Sequence, residues 1–448
     1  MSPPHESLTK HFPEEAVLAR HLTVRRVAAG PHTLDLRLAE QPGAPLVITF
    51  EPMSTRGAAP RDRNREGWGF SWLASKGYSV LAVKPGRNDW YREPLLRALF
   101  GRLQEEECFA SFTHVIFYGG SMGGFGALAF ATAAPRATVL AFCPQTTLDP
   151  ARVPWEVRFP KARALDWSGT FADGADIAGR GITAYLVYDP HETLDRKHAD
   201  RLAFDGVTHL ALPYTGHGTP GHLAKMGALK EVFQLAATHR LSRETFAPLA
   251  RRRKQIADYW LSLAKAQRRP ALRRLMLERG IAIDPGLPGC RLALARLHLA
   301  QGAPGEAERI ARDLVAQFPE NPEGLGVLAD ALAAGGRAEE ALASAEEATR
   351  CAPADPRAAL RLARICLSLG RVAEARIAAQ AALERAELWP GIAAAARRML
   401  MTLETGHSAG AGERPRAATA QAATSDSPTS LVPLKAEAAE DGQARCKS

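Results

Sequence analysis

The chain has 448 residues, of which 46% are hydrophobic and 23% charged, with a formal net charge of +9. At roughly 150 residues per domain, this length allows two or three folded units and excludes a single small stapled fold. No window approaches the ~18 uninterrupted apolar residues of a membrane helix, so no membrane span is expected.

The polar, mixed-charge start MSPPHESLTKHFPEE lacks the basic and apolar regions of a signal peptide, so a cytoplasmic location is expected. Cys108, Cys143, Cys290, Cys351, Cys366 and Cys446 are widely spaced with no CxxC pair. That pattern predicts buried, reduced thiols rather than a disulfide framework or a cysteine metal site. No metal and no cofactor is expected.

Residues 1–240 alternate short β-rich runs with helical ones, the pattern of strand and crossover-helix units around a mostly parallel sheet. Eight strands are predicted: Leu22–Val27, His32–Leu38, Pro45–Phe50, Tyr78–Val83, Thr113–Tyr118, Ala137–Phe142, Ile182–Tyr188 and Val207–Leu212. Helical stretches are expected at Gly69–Lys76 and Met122–Ala134.

The fifth strand runs into THVIFYGGSMGGFGALAF, in which Gly119, Ser121 and Gly123 form a GxSxG. A strand, a tight turn and a small-residue helix are what a nucleophile elbow needs, because a serine at a strained backbone angle tolerates only tiny neighbours. Gly119, Gly120, Gly123 and Gly124 supply them. Such a turn aims Ser121 Oγ out at the carboxyl edge of the sheet and sets the Met122 N–H to face a developing oxyanion. A Gly-rich turn of this kind also suits phosphate, but neither a Walker lysine nor a GxGxxG spacing accompanies it.

A nucleophilic serine needs a base held in one tautomer, and both partners follow in order. The seventh strand ends in Asp189, and PYTGHGTPGHL presents His217 between Gly216 and Gly218. His191, His198, His209 and His222 compete with it, but His209 falls inside a strand pattern and His222 on the following helix; His217 is preferred. Two acids compete. Asp189 directly follows its strand, where a triad acid belongs, whereas Asp195 precedes RKHADRL and reads as a helix N-cap; Asp189 is favoured.

Strand order, elbow, acid and histidine together resemble the α/β-hydrolase superfamily over about residues 20–238. The resemblance implies an eight-stranded, mostly parallel sheet flanked by helices and a Ser121, Asp189, His217 triad. The superfamily's second oxyanion donor usually comes from an HGGG or HG loop after the third strand, where this chain has FEPMSTRG. An N–H between Glu51 and Ser54, with Met53 preferred since Pro52 has none, would serve instead. Trp90 and Tyr91, in the loop after the fourth strand, are candidates for stacking on a sugar or acyl group, or for packing under that loop. The segment from Thr146 to Arg180, with Trp155, Phe159, Trp167 and Phe171, occupies the place where the superfamily inserts a lid.

From Leu241 to Gly280 eleven Lys and Arg residues face only Glu244, Asp258 and Glu278, a balance of +8 that accounts for nearly all the excess charge. Residues 241–288 are therefore read as a basic helical linker, either a solvated face or a contact for an acidic partner. No nucleic-acid motif accompanies it, so no nucleic-acid partner is expected. Residues 289–404 repeat with a period of 34: Gly302, Gly336 and Gly370; Ala307, Ala341 and Ala375; Leu294, Leu328 and Leu362; Ala295, Ala329 and Ala363. This pattern resembles the tetratricopeptide repeat over about three units, although His298, Leu332 and Cys366 fill its bulky positions. Helices at Tyr259–Arg279 and Gly391–Leu403 are expected to cap the stack. Residues 405–448, poor in large apolar side chains, are expected to form a disordered tail.

The expected function is cofactor-free hydrolysis of a small-molecule or glycan ester through an acyl-enzyme. Two alternatives stand beside it: an acyltransferase with the same triad, and a non-catalytic scaffold whose repeats bind a protein partner.

Overall fold

The computed structural model describes residues 6–18, 22–54, 62–387 and 389–405. Of the expected tail 405–448, Thr405 is helical, and residues 406–448, Cys446 among them, lie outside the described residues. The chain divides into two compact units, with the boundary between Arg253 and Lys254.

The first unit is built on nine strands: β1 (Glu14–Val17), β2 (Thr23–Ala29), β3 (His32–Arg37), β4 (Leu46–Phe50), β5 (Ser79–Lys84), β6 (Val115–Gly120), β7 (Thr138–Phe142), β8 (Thr183–Tyr188) and β9 (Val207–Ala211). They form one sheet in the order β1-β2-β3-β5-β4-β6-β7-β8-β9. Pairing is antiparallel from β1 to β5 and parallel from β5 to β9. The eight expected strands are present, and β1 is an addition. With the sequence EEAV and mostly exposed side chains, it carries no apolar alternation to betray it. It is an edge strand that sets Glu14 opposite Arg26 and Glu15 opposite Arg25.

Every residue of β4, β5, β6 and β7 is buried, as expected for parallel strands covered on both faces. The helices of this unit are α1 (Glu6–Thr9), α2 (Phe70–Ser75), α3 (Pro94–Glu105), α4 (Met122–Phe130), α5 (Pro160–Arg163), α6 (Thr193–Asp200), α7 (Thr219–Lys225), α8 (Leu229–Ala237) and α9 (Arg243–Arg251). All nine residues of α4 are buried, and its glycines let it lie directly on the sheet. A Cβ on Gly119 would collide with the Gly123 carbonyl, and one on Gly123 with that of Phe50. From β4 the chain moves outward to β5 and returns across to β6, so the order reverses between β4 and β6. The carboxyl end of such a reversal is where open α/β sheets form their binding crevice.

The second unit is all helical: α10 (Ala257–Ala266), α11 (Pro270–Ile283), α12 (Pro288–Ala300), α13 (Pro304–Gln317), α14 (Pro322–Ala334), α15 (Ala338–Cys351), α16 (Pro356–Ser368), α17 (Val372–Glu384) and α18 (Pro390–Thr405). The repeats are of tetratricopeptide type. Each pair is closed the same way: Gly302, Gly336 and Gly370 sit at φ of 71°, 78° and 72°, a left-handed conformation that costs glycine little. The next N–H groups, of Ala303, Arg337 and Arg371, donate back to the carbonyls of His298, Leu332 and Cys366, all at 2.9 Å. The bulky positions of the pattern thus supply the helix-ending acceptor through the backbone, whatever side chain they carry. Ala307, Ala341 and Ala375 are fully buried where paired helices approach.

The basic stretch is not a single linker. Helix α9 belongs to the first unit, where Arg243 Nε reaches the His209 carbonyl of β9. The expected helix at Tyr259–Arg279 is two, α10 and α11, broken where Gln267 turns extended and Pro270 opens the next helix. Both pack in the apolar core of the repeats through Ala257, Ala264 and Leu277, so the basic side chains decorate structural helices.

Candidate active site

Strand β6 ends in Gly120 and α4 starts at Met122, leaving Ser121 alone between them at φ 55°, ψ −120°. The surroundings enforce this strain: Ser121 N–H donates to the Phe142 carbonyl at the end of β7 (2.8 Å), and its own carbonyl accepts the Phe125 N–H (3.0 Å). Met122 is the first residue of α4, where helix N–H groups have no intrahelical acceptor, so its donor lies at the positive end of the helix dipole without a partner inside the helix.

Ser121 Oγ lies 2.7 Å from Nε2 of His217, which sits in a short 3-10 turn, Gly216–Gly218, beyond β9. On the other side of the ring, Nδ1 lies 2.7 Å from Oδ2 of Asp195. A carboxylate only accepts, so Nδ1 carries the proton and Nε2 is left to accept from the Ser121 hydroxyl. Asp195 is 1% exposed, and although burial opposes its ionisation, His217 and Arg158 together hold its carboxyl below the usual range.

The acid expected at Asp189 is therefore a correction. Asp189 accepts three backbone N–H groups: His191 on Oδ1 (2.9 Å), and Thr215 (2.9 Å) and Gly216 (2.8 Å) on Oδ2. It fastens the loop that carries His217 and leaves the imidazole to Asp195. Nor is Asp195 an N-cap: Glu192 holds that position of α6, without a side-chain capping bond, and Asp195 is the third helical residue, turned inward.

Trp90 and Tyr91 are a second correction. They are 1% and 0% exposed, so neither offers a face for a ligand. Trp90 Nε1 donates to Gln145 Oε1 (3.2 Å) and its ring packs on Phe159, while the Tyr91 hydroxyl donates to the Glu51 carbonyl (2.7 Å). Tyr91 thereby braces the loop after β4 that contains Met53. A Cβ on Gly123 would stand 2.8 Å from the Glu51 carbonyl, so the first turn of α4 abuts this loop. Met53 itself is half-buried against the main core.

The segment between β7 and β8 turns its aromatic residues inward. Phe171 stacks on Phe130 and Trp167 meets Phe125 edge-on, both on α4. Arg92 clamps it by donating to the carbonyls of Asp166, Ser168, Thr170 and Phe171. Sequence reasoning missed what the segment sends to the site. Arg158 NH1 lies 2.8 Å from Asp195 Oδ1, and its Nε and NH2 grip Glu156, which in turn meets His198 Nε2 at 3.1 Å. An arginine two residues from a glutamate carries no periodic signal that would announce this.

The remaining histidines stand apart from Ser121. His222 Nδ1 bonds the Gly218 carbonyl, His191 stacks on Tyr214, and His209 meets Tyr188. Cys143 Sγ, an Asp195 oxygen and a His217 nitrogen lie within 4.8 Å of one another. These are metal-ligating types, but the ring and carboxylate already bond each other, and Cys143 donates to Thr219 Oγ1 at 3.0 Å. Burial, together with the nearby Asp195 charge, pushes that thiol well up, which makes it a poor ligand.

The family model of the tetratricopeptide repeat matches residues 292–356 and 345–391. A thermophilic TPR protein of Thermus thermophilus is 26% identical over 34% of this chain and 83% of its own, with a TM-score of 0.31. The TPR domain of Sgt2 from Aspergillus fumigatus is 24% identical over 30% of this chain and 88% of its own (TM-score 0.26). The type III secretion chaperone SycD of Yersinia enterocolitica, in complex with a peptide of the translocator YopD, is 19% identical over 26% of this chain and 92% of its own (TM-score 0.25). The search of curated proteins finds no match. Among the described residues no helix is long and apolar enough to cross a membrane.

Proposed function

We infer that the first unit is a serine hydrolase acting on carboxylic esters, with Ser121 as nucleophile, His217 as base and Asp195 as the acid that fixes the imidazole. The observation that carries this reading is the unbroken relay from Ser121 Oγ through both ring nitrogens of His217 to a buried carboxylate, 2.7 Å at each step.

In the acylation step Oγ attacks the ester carbonyl carbon while Nε2 takes its proton, and the imidazolium that forms is stabilised by Asp195. The carbonyl oxygen, now an anion, is received by the Met122 N–H and by a second donor from the Glu51 to Ser54 loop, with Met53 preferred. Collapse expels the alcohol, which takes the proton from Nε2. Water then repeats the sequence on the acyl-enzyme and releases the acid. An acyltransferase would run the same steps with an acceptor hydroxyl in place of water, and product analysis with candidate acceptors separates the two. A fluorophosphonate probe should label the wild-type chain and spare Ser121→Ala; equal labelling of both ends the proposal.

The repeats favour a second reading, a scaffold that binds a protein partner, which is compatible with the first because it belongs to the other unit. It rests on the match of residues 292–391 to a repeat whose stacked helix pairs commonly form binding surfaces. Pulldown with the full chain against variants altered on exposed repeat residues tests it, and recovery of the same proteins with every variant would remove it.

A further inference from the structure

Asp195 uses one oxygen for His217 and the other for a guanidinium that has no part in the proposed reaction. Arg158 NH1 lies 2.8 Å from Asp195 Oδ1, while Nε (3.0 Å) and NH2 (2.6 Å) hold Glu156. The Arg158 backbone N–H donates to the same carboxylate at 2.9 Å. Glu156 is fully buried, and its Oε2 meets His198 Nε2 at 3.1 Å. His198 Nδ1 accepts the Thr146 N–H, so that ring is neutral and donates from Nε2. The arrangement leaves Arg158 no alternative rotamer without stranding a buried carboxylate.

We propose that Arg158, delivered by the segment between β7 and β8, is a positioning residue that locks Asp195 against His217 and sets the acid limit of the Ser121 nucleophile. This role of Arg158 rests on the serine-hydrolase reading for its chemistry, while its contacts with Asp195 and Glu156 stand by themselves. Asp195, Glu156 and Arg158 carry a net charge of −1, which the imidazolium formed during catalysis cancels. Without Arg158 the cluster would carry −2 and would favour the imidazolium even at rest, removing the base that Ser121 needs. Other charged or titratable groups facing the pair are Glu192 just before α6, His198 on α6, Asp189 just after β8 and Cys143 just after β7. Burial, with Asp195 and Asp189 nearby, raises the carboxyl of Glu192, and burial also lowers His198 and raises Cys143. Arg158 is the one cation that contacts the triad acid among the described residues.

The test follows fluorophosphonate labelling of Ser121 in the full chain against pH, alongside NMR titration of 13C-labelled histidine with His217 assigned by His217→Gln. In Arg158→Gln the acid limb of labelling and the His217 ring titration should both move up by roughly one pH unit, and Arg158→Lys should restore most of the shift. Should Arg158→Gln unfold because Glu156 is stranded, Arg158→Gln with Glu156→Gln removes that carboxylate too. An upward shift remains expected there, since Arg158 contacts Asp195 directly and Glu156 stands behind it. Superimposable profiles for wild type and folded Arg158→Gln, or for wild type and the double variant where the single one unfolds, overturn the proposal. If the wild type is never labelled, the serine-hydrolase reading fails, while the NMR titration still decides the role of Arg158.

Discussion

Asp195 Oδ2 stands 2.7 Å from Nδ1 of His217, while the carboxylate of Asp189, six residues earlier, reaches only the backbone of the loop that carries that histidine. The first contact fixes a tautomer and the second fixes a place. These roles have different signatures, and two substitutions separate them.

Asp195→Asn keeps the side chain's shape but can present an N–H to Nδ1, which forces the proton to Nε2 and deprives Ser121 of its acceptor. The labelling rate should fall by about 10⁴-fold. A fall of less than tenfold would mean that Asp195 does not orient the base.

Asp189→Asn replaces one acceptor oxygen by a donor where three N–H groups converge, leaving at least one buried donor unmatched. Unfolding free energy should drop by about 1–3 kcal/mol, measured by denaturant titration, with a smaller loss of labelling than Asp195→Asn. The reverse ranking of the two variants would return the triad acid to Asp189.

Why the elbow was legible and the acid was not follows from where each constraint lies in the chain. The turn at Ser121 is local: a strand, four glycines and a helix within a dozen residues, two of the glycines required because a Cβ at Gly119 or Gly123 meets backbone. The repeats were legible for the same reason, since Gly302, Gly336 and Gly370 end their helices by local hydrogen bonds. The choice between Asp189 and Asp195 depends on which face of α6 turns inward and on where the loop after β9 comes to rest, and those are matters of tertiary packing. Trp90 and Tyr91 stay open between stacking and packing in the sequence because a loop aromatic looks the same whether it covers a core or lines a cleft; the partners that hold them buried, Gln145 and Glu51, are 55 and 40 residues away. Arg158 depends on a partner 37 residues further on, with no spacing rule to connect them.

Glycine positions offer a direct stability contrast. In Gly123→Ala the new methyl collides with the Phe50 carbonyl of β4 and stands 2.8 Å from that of Glu51 in the loop that follows, both backbone atoms that cannot swing aside as a side chain could. A loss of ~2–4 kcal/mol, with loss of labelling, is expected. Gly101, inside α3, has nothing within 4 Å of an added Cβ, so Gly101→Ala should instead stabilise by ~0.5–1 kcal/mol. Equal effects in chemical denaturation would contradict the packing of α4 on β4.

In the repeats, the buried alanines set the distance between paired helices. Ala341, fully buried on α15, has no room for three further carbons. Ala341→Leu should cost ~1–3 kcal/mol in the unfolding of the helical unit, whereas Ala303→Ser, which puts a capping hydroxyl at the N-cap of α13, should stabilise it by ~0.5–2 kcal/mol. Calorimetry of the full chain reads both.

Acid should weaken the first unit through the same cluster that holds Asp195. Although burial opposes its charge, hydrogen bonds from His198 and Arg158 bring the Glu156 carboxyl down to about 2. Its unfolded counterpart titrates near 4.3, so at lower pH the unfolded chain binds the proton more readily than the folded one. The stability that Glu156 contributes is complete above the unfolded value and is lost as pH falls from about 4.5 towards 2, a loss on the order of 3 kcal/mol. His198 adds to the slope earlier. Burial lowers its folded value, so the unfolded chain takes up that proton first as pH drops below about 6.5. Glu156→Gln should flatten the dependence of unfolding free energy on pH between about 4.5 and 2, and leave the slope near pH 6 in place. A variant whose acid profile follows the wild type throughout would mean that Glu156 carries no folded-state charge, and that the guanidinium of Arg158 is held by Asp195 alone.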